Sequence, residues 1–246
     1  MKKCIIIDDE PLARSITLDY LKNEPDLQVV QECNDGLEGF KAIQVHQPDL
    51  VFLDIQMPKI SGFEMLELLD NPPAIIFTTA FDEFAIKAFE TNTIDYLLKP
   101  FSQERFQKAI AKFRQTLPGS QQTQTQQLLQ EVDAASLPKN RVVVKDQQQI
   151  KILPAKEIYF LEADDDTVKI HSSTGVYAKN KTLSSFEKSL DETQFIRVHR
   201  SYLVNTAYIN RIEVYEKEGH LAILTNGARV PVSRNGYVRL KTELGI

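Results

Sequence analysis

Two domains of different class are predicted from the sequence: a doubly wound α/β domain built on a five-stranded parallel sheet, then a β-rich domain with short helices. Three observations carry this. At 246 residues the chain holds two domains of ordinary size and is too long for a comfortable single core. Up to residue 117, short wholly apolar runs alternate with segments of helical period, the rhythm of βα units. From residue 139 onward the rhythm becomes one of short strands rich in β-branched and aromatic residues.

The first domain is organised around Asp54, which ends the run Asp49-Leu50-Val51-Phe52-Leu53-Asp54 and precedes Ile55-Gln56-Met57-Pro58. Consecutive apolar side chains mark a strand buried on both faces, so the carboxylate stands at the carboxyl end, where open α/β sheets bind ligands. Taken alone, Asp54 reads more readily as a solvated residue opening a turn, and its companions shift that balance. Around it, residues 4–7 (Cys-Ile-Ile-Ile) form a first strand ending in Asp8-Asp9-Glu10. Pro11 suits the first turn of a helix that continues through Leu12, Ile16, Tyr20 and Leu21. A strand over 27–31, a helix over 36–46, the Asp54 strand and a helix over 63–69 follow. A strand over 74–79, a helix over 84–90, a strand over 94–98 and a helix over 103–116, with Phe106, Ile110 and Phe113 on one stripe, complete the order βαβαβαβαβα.

Stacking the strand ends brings Asp8-Asp9, Asp54, Thr79 and Lys99 to one edge. Three converging acids repel one another, and a hard cation with oxygen ligands, best matched by Mg²⁺, is the natural compensation. With that charge in place, the Lys99 ammonium and the Thr79 hydroxyl can bind the oxygens of a phosphoryl group while Asp54 acts as nucleophile. Pro100 after Lys99 raises the chance of a cis peptide.

The motifs Ile-Asp-Asp-Glu (7–10), Phe-Leu-Asp-Ile-Gln-Met-Pro (52–58), Thr-Thr-Ala (78–80) and Asp-Tyr-Leu-Leu-Lys-Pro-Phe (95–101) resemble the receiver domain of two-component response regulators, a flavodoxin-like fold. The resemblance implies that Asp54 accepts phosphate from a sensor histidine kinase. It implies that Asp8, Asp9, Asp54 and the Gln56 carbonyl hold Mg²⁺, and that Thr79 and Lys99 bind the phosphoryl group. Thr79 and Tyr96 would then act as the switch that reshapes the face around the 84–90 helix. A face bearing Lys87, Glu90, Asp95, Arg105 and Lys108 could pair with its own copy in a twofold dimer formed on phosphorylation, or could be ordinary solvated charge. The chemistry expected is limited to the domain's own phosphorylation and dephosphorylation, so the protein reads as a signalling switch and not as a metabolic enzyme.

The overall charge of −5 conceals an asymmetry. Residues 1–117 carry 12 Lys+Arg against 19 Asp+Glu, residues 118–138 carry 0 against 2, and residues 139–246 carry 17 against 13. The basic surplus therefore lies in the last segment, compatible with a nucleic-acid partner but too mild to establish one. Residues 118–138, a Gln-rich stretch apart from a possible helical turn over 128–132, read as a partly disordered linker that could reach about 70 Å if fully extended. There is no run of about 18 apolar residues and no apolar leader, and Cys4 and Cys33 read as buried reduced thiols, so a cytoplasmic protein without membrane insertion is expected.

In the last segment, strands are expected over 141–145, 150–153, 158–162, 167–171, 176–179, 195–198, 202–204, 209–215, 221–225 and 229–232. Asn226-Gly227 is a two-residue hairpin signal. Helices are expected over 183–190, capped by Thr182, and over 233–244, capped by Ser233. His171, His199 and His220 are scattered singly, without metal-ligand spacing or a nucleophile and base pair. The runs Arg197-Val198-His199-Arg200-Ser201-Tyr202-Leu203-Val204-Asn205 and Val230-Pro231-Val232-Ser233-Arg234, with Tyr159-Phe160-Leu161-Glu162-Ala163 before them, resemble the LytTR DNA-binding domain of LytR/AlgR-type regulators.

That resemblance implies loops entering successive major grooves of double-stranded DNA. The reading positions would be the 164–169 loop with Lys169, His199-Arg200, and Arg234, while Lys169, Lys179 and Lys181 could contact phosphates. Asp164-Asp165-Asp166 departs from expectation, because DNA phosphates would repel three acids. The domains expected are a receiver over 1–117, a linker over 118–138 and a LytTR-type domain over 139–246, together a phosphorylation-controlled transcriptional regulator. One alternative has the β-rich domain bind a protein partner. Another, a phosphatase using an Asp nucleophile, is disfavoured by Gln at position 56, where such enzymes usually need a second acid.

Overall fold

The computed structural model describes residues 1–80, 94–115, 139–147, 149–215 and 219–245. The expected 84–90 helix and the 118–138 linker with its 128–132 turn lie outside them. The chain divides into two compact units, Met1–Val132 and Asp133–Ile246.

In the first unit, strands β1 (Lys2–Ile7), β2 (Leu27–Cys33), β3 (Leu50–Leu53), β4 (Ala74–Thr79) and β5 (Asp95–Leu98) form one parallel sheet in the order β2-β1-β3-β4-β5. This is the doubly wound order whose ligand crevice opens at the carboxyl ends of β1 and β3. Helices α1 (Pro11–Leu21), α2 (Gly36–His46), α3 (Gly62–Leu66) and α4 (Gln103–Gln115) are the connections described. The central strands are buried on both faces. Cys4, Ile6, Phe52 and Ile76 pack with Leu21, Phe106, Ile110 and Phe113 on one side, where Phe52 and Phe106 stack with centroids 5.3 Å apart. On α2, a Cβ at Gly39 would come within 2.5 Å of the Ile7 side chain, so the missing side chain lets the helix sit close to β1. Both cysteines are free and buried, and burial pushes their thiols up to about 12.

Several boundaries differ from the sequence expectation by one or two residues, β2 for instance running on to Cys33, and two of the differences lie beside Asp54. Strand β3 ends at Leu53, leaving Asp54 one residue beyond it. Helix α3 starts one residue earlier than expected and stops at Leu66. Ser61 closes a capping box with Glu64 at its start, and the Asn71-Pro72-Pro73 segment cannot continue a helix at its end.

In the second unit, strands β8 (Ile158–Asp164), β9 (Thr167–Ser172), β10 (Gly175–Lys179), β11 (Phe195–His199) and β12 (Tyr202–Asn205) form an antiparallel sheet ordered β10-β9-β8-β12-β11. Its two faces cover separate cores. Leu161, Ile170 and Leu203 face one shared with the hairpin β6 (Arg141–Asp146) and β7 (Gln149–Pro154) and with helix α5 (Leu183–Ser189). Phe160, Val198 and Val204 face the other, built with β13 (Ile209–Tyr215), β14 (Gly219–Leu224), β15 (Arg229–Val232) and helix α6 (Arg234–Leu244). Thr182 and Ser233 cap α5 and α6 by accepting the Ser185 and Gly236 N–H groups at 3.2 and 3.1 Å.

The β14–β15 loop is a three-residue turn, not the expected two-residue one. Gly227 donates to the Leu224 carbonyl at 2.9 Å with φ +83°, and Leu224 donates to the Ala228 carbonyl at 2.9 Å, so the glycine closes the hairpin as a bulge. Among the described residues no helix is long and apolar enough to cross a membrane.

Candidate functional site

The parallel ladder delivers the acidic residues of the first unit to one place. Asp54 donates its N–H to the Ile7 carbonyl at 2.8 Å, and Asp8 donates its own to the Cys33 carbonyl at 3.1 Å, so each continues the sheet just past β3 and β1. Asp8, Asp9 and Asp54 each offer a carboxylate oxygen, all within 4.8 Å of one another. Asp8 and Asp54 are 1% and 5% exposed, too buried for water alone to neutralise them.

Lys99 enters from the end of β5, where its N–H donates to the Thr79 carbonyl at 2.7 Å. The Lys99–Pro100 peptide is cis. Its ammonium lies 2.8 Å from Asp8 Oδ2, 3.1 Å from Asp54 Oδ2 and 3.3 Å from Glu10 Oε2. Thr79, at the end of β4, is fully buried, and its Oγ1 has no hydrogen-bond partner among the described residues.

One cation does not neutralise this pocket. Burial raises the proton affinity of Asp54, Lys99 lowers it, Asp8 raises it again, and the pKa settles at about 6. Burial likewise holds Asp8 above the usual carboxylate range against the pull of Lys99. For Lys99 burial disfavours the ammonium, yet its two buried partners outweigh that and hold it above an ordinary lysine. Close, partly desolvated oxygen donors with unmet negative charge fit a hard divalent cation.

Two residues overlooked in the sequence brace this pocket. Glu10 supplies the third carboxylate around Lys99, a role that its adjacency to Asp8-Asp9 could have suggested. Arg14 on α1 donates to the Asp8 carbonyl at 2.6 Å and so fixes the loop from the helix side. Gln56 places its N–H 3.4 Å from Asp54 Oδ1.

Of the residues expected on a dimer face, Lys87 and Glu90 lie outside the described residues. Asp95 is 4% exposed and satisfied within the chain, by two bonds from Arg105 at 2.7 and 2.8 Å and by Lys112 at 3.0 Å. These partners hold its carboxyl below the usual range despite burial. Arg105 also donates to the Tyr96 carbonyl at 2.6 Å, tying α4 to β5 beside a Tyr96 that is already buried. Lys108 pairs with Glu104 at 2.8 Å on the exposed side of α4.

In the second unit the basic residues singled out by sequence gather at one end of the five-stranded sheet. Arg200 and Ser201 form the turn between β11 and β12, and Arg200 is exposed. Arg234, also exposed, opens α6, whose cap Ser233 donates its N–H and its hydroxyl to the Val198 carbonyl at 2.9 and 3.0 Å. That carbonyl is available because the β11–β12 ladder shifts between Arg197 and His199, leaving Val198 as a bulge. A Cβ at Gly236 would stand 1.9 Å from the same oxygen, so the α6 start rests directly on the strand.

His199 Nδ1 accepts the Ser201 N–H at 3.2 Å, and burial, then Arg200 and Arg197, depress its proton affinity, so it is a neutral ring near pH 7. Lys169 sits on β9 opposite Glu162, which in turn lies opposite Tyr202 of β12. The three-acid run is partly accounted for, since Asp164 pairs with Lys169 at 2.8 Å. Lys179 donates to the Val143 carbonyl at 2.8 Å, and the Lys181 ammonium lies 5.8 Å from the Phe186 ring centre.

The chain thus combines an acid-edged parallel sheet with a β-rich unit that gathers basic turns at one end. Residues 4–111 match the model of the response regulator receiver domain, and residues 148–245 match that of the LytTr DNA-binding domain. The chain is 39% identical over 260 residues to the transcriptional regulatory protein BtsR of Escherichia coli (strain K12), covering 100% of both. It is 34% identical over 251 residues to the transcriptional regulatory protein LytR of Staphylococcus aureus (strain N315), covering 99% of both. The chain belongs to the family of response regulators that carry a LytTR DNA-binding domain, in which those two relatives are named transcriptional regulators.

Proposed function

We propose that Asp54 is the phosphoacceptor of a cytoplasmic two-component switch and that its phosphorylation by a sensor histidine kinase controls sequence-specific binding of double-stranded DNA by the second unit. The observation that carries this reading is the buried pair Asp8 and Asp54 bridged by Lys99. Asp54 Oδ would attack the phosphorus of a phosphohistidine; the P–N bond breaks, a P–O bond forms, and the imidazole nitrogen regains a proton. With a pKa of about 6 the carboxylate is mostly ionised at neutral pH and so remains nucleophilic. Lys99 and the unpartnered Thr79 hydroxyl would bind the phosphoryl oxygens, and Thr79 with Tyr96 would relay the change.

Asp8, Asp9, Asp54 and the Gln56 carbonyl would hold Mg²⁺. When bound, it supplies the positive charge that offsets the incoming phosphoryl oxygens. The domain limits proposed are 1–117, 118–138 and 139–246, and the regulator catalyses only its own phosphorylation and dephosphorylation.

Arg200 and Arg234 would read base edges, with His199 and Lys169 beside them. Dimerisation on phosphorylation would place two such domains on paired half-sites and raise the effective concentration of the second. Through Asp95, Arg105 and Lys108 it would have to compete with ion pairs made inside one chain.

The test combines intact mass, sedimentation and duplex selection from a random pool, each with and without a small-molecule phosphodonor and Mg²⁺. A phosphoryl-sized mass gain on Asp54, with tighter binding of a selected sequence, is expected. No mass gain on Asp54 would overturn the switch, an unchanged monomer would overturn the dimer, and binding that never distinguishes sequences would favour a protein partner for the output.

A further inference from the structure

The turn that presents Arg200 is not one that holds a hairpin by itself. Two-residue hairpin loops favour turns with positive φ, and neither Arg200 nor Ser201 has it. Besides His199 Nδ1, which accepts the Ser201 N–H at 3.2 Å, support arrives from one further side chain. Arg197 donates Nε to the His199 carbonyl at 2.8 Å and a terminal nitrogen to the Arg200 carbonyl, so its guanidinium closes the turn from beneath. The remaining terminal nitrogen lies 3.5 Å from a Glu187 carboxylate oxygen on α5, and the other oxygen of Glu187 lies 3.2 Å from Arg239 on α6. The turn carrying Arg200 and the helix opening with Arg234 are therefore joined twice, through Ser233 on the Val198 carbonyl and through Arg197, Glu187 and Arg239.

We propose that Arg197 and Glu187 are positioning residues that set the spacing between Arg200 and Arg234, and so fix the DNA sequence preference without contacting DNA. This rests on the DNA-reading role proposed above. Arg197 is suited to it because its side chain is 18% exposed and its donors are committed within the fold, whereas a phosphate contact needs an outward guanidinium. Glu187 makes the inference sharp. Removing an acid from a DNA-binding surface should strengthen binding if bulk charge governed it, whereas loss of a brace should weaken specific binding. The two accounts predict opposite signs.

The experiment uses the full chain and a duplex selected by the wild type from a random pool, with a scrambled duplex as reference. Glu187→Ala and Arg197→Gln should each lower the ratio of specific to non-specific affinity by about ten- to a hundredfold, the scale of one misplaced bidentate base contact. The slope of log affinity against log salt on the scrambled duplex should stay as in the wild type. A ratio unchanged or raised in Glu187→Ala overturns the proposal, as does a slope that falls by about one in Arg197→Gln, which would make Arg197 a phosphate contact. Should Arg197→Gln melt at a lower temperature, Glu187→Ala, on the surface of a short helix, still decides. A wild type without any preferred duplex would refute the DNA-reading role itself, a different and separately visible failure.

Discussion

The two units place their charged groups in opposite ways. In the first, Asp8, Asp54 and Lys99 are drawn beneath the surface at a sheet edge, where proton affinities shift and an ion or phosphoryl group would meet fixed charge. In the second, Arg200 and Arg234 stay exposed, and what is fixed is the backbone beneath them. Burial tunes chemistry on a side chain, while bracing a turn tunes geometry between side chains. A switch needs the first kind of site, and a reader of base edges needs the second.

Breaking the first kind should give the largest effect. Asp54→Ala should abolish phosphoryl uptake in intact-mass measurements and, with it, any dependence of DNA binding on a phosphodonor. A dependence that survives the substitution would show that charge buried elsewhere performs the chemistry.

Next come the glycines that let each helix start reach its site. A Cβ at Gly62 would stand 2.4 Å from the Asp54 carbonyl, and one at Gly236 would stand 1.9 Å from the Val198 carbonyl. Each alanine should cost about 2–3 kcal/mol in thermal or denaturant unfolding, because backbone must yield. Gly62→Ala should also slow phosphoryl uptake and leave sequence preference intact, and Gly236→Ala should do the reverse. Equal effects of both variants on both assays would erase the contrast between the units.

A smaller effect concerns pH. Burial, only partly offset by Lys99, raises the Asp54 carboxyl in the folded, metal-free protein to about 6 from the ordinary 3.8, so the folded state binds more protons than the unfolded one between those limits. This stabilising contribution is present below about pH 4 and is lost as pH rises through 6. Asp54→Asn should therefore gain stability over wild type by on the order of 1–2 kcal/mol on going from pH 4 to pH 7 in chelator. A difference between the two proteins that stays constant across this range would count against the buried, partly uncompensated carboxylate.

The smallest effect expected is that of Lys169→Ala. Its ammonium is already paired with Asp164, so removal should weaken binding to all duplexes by less than about tenfold and reduce the salt slope by at most about one. Loss confined to the preferred duplex would instead make Lys169 a base reader.

Most of the first unit was legible from the sequence because its signals are dense and local. Runs such as Leu50–Leu53 are wholly apolar, their ends are chemical, and stacking five ends leaves one place for Asp8, Asp54, Thr79 and Lys99 to meet. Less legible were features set by partners distant in sequence. Asp95 reads as a surface charge until Arg105 and Lys112 fold over it from α4, and Arg14 and Arg197 act by donating to turn carbonyls that sequence cannot place. The β14–β15 turn differs from the sequence expectation by one residue because Asn-Gly fits either a two-residue turn or the end of a three-residue one. Motif resemblance is what singles out Arg200 and Arg234 for the proposed role, since composition and periodicity do not distinguish them from other surface arginines.

The extra residue in β11 has a consequence for how this protein can change length. Removing Val198 would leave an even ladder, with Arg197 opposite Leu203 and His199 opposite Tyr202, and would take away the carbonyl that the bulge turns out of the sheet. Ser233 would lose the oxygen it leans on in the same stroke. A one-residue deletion here therefore could not be absorbed as loop deletions usually are; it would cost the helix its seat and the arginine its direction together.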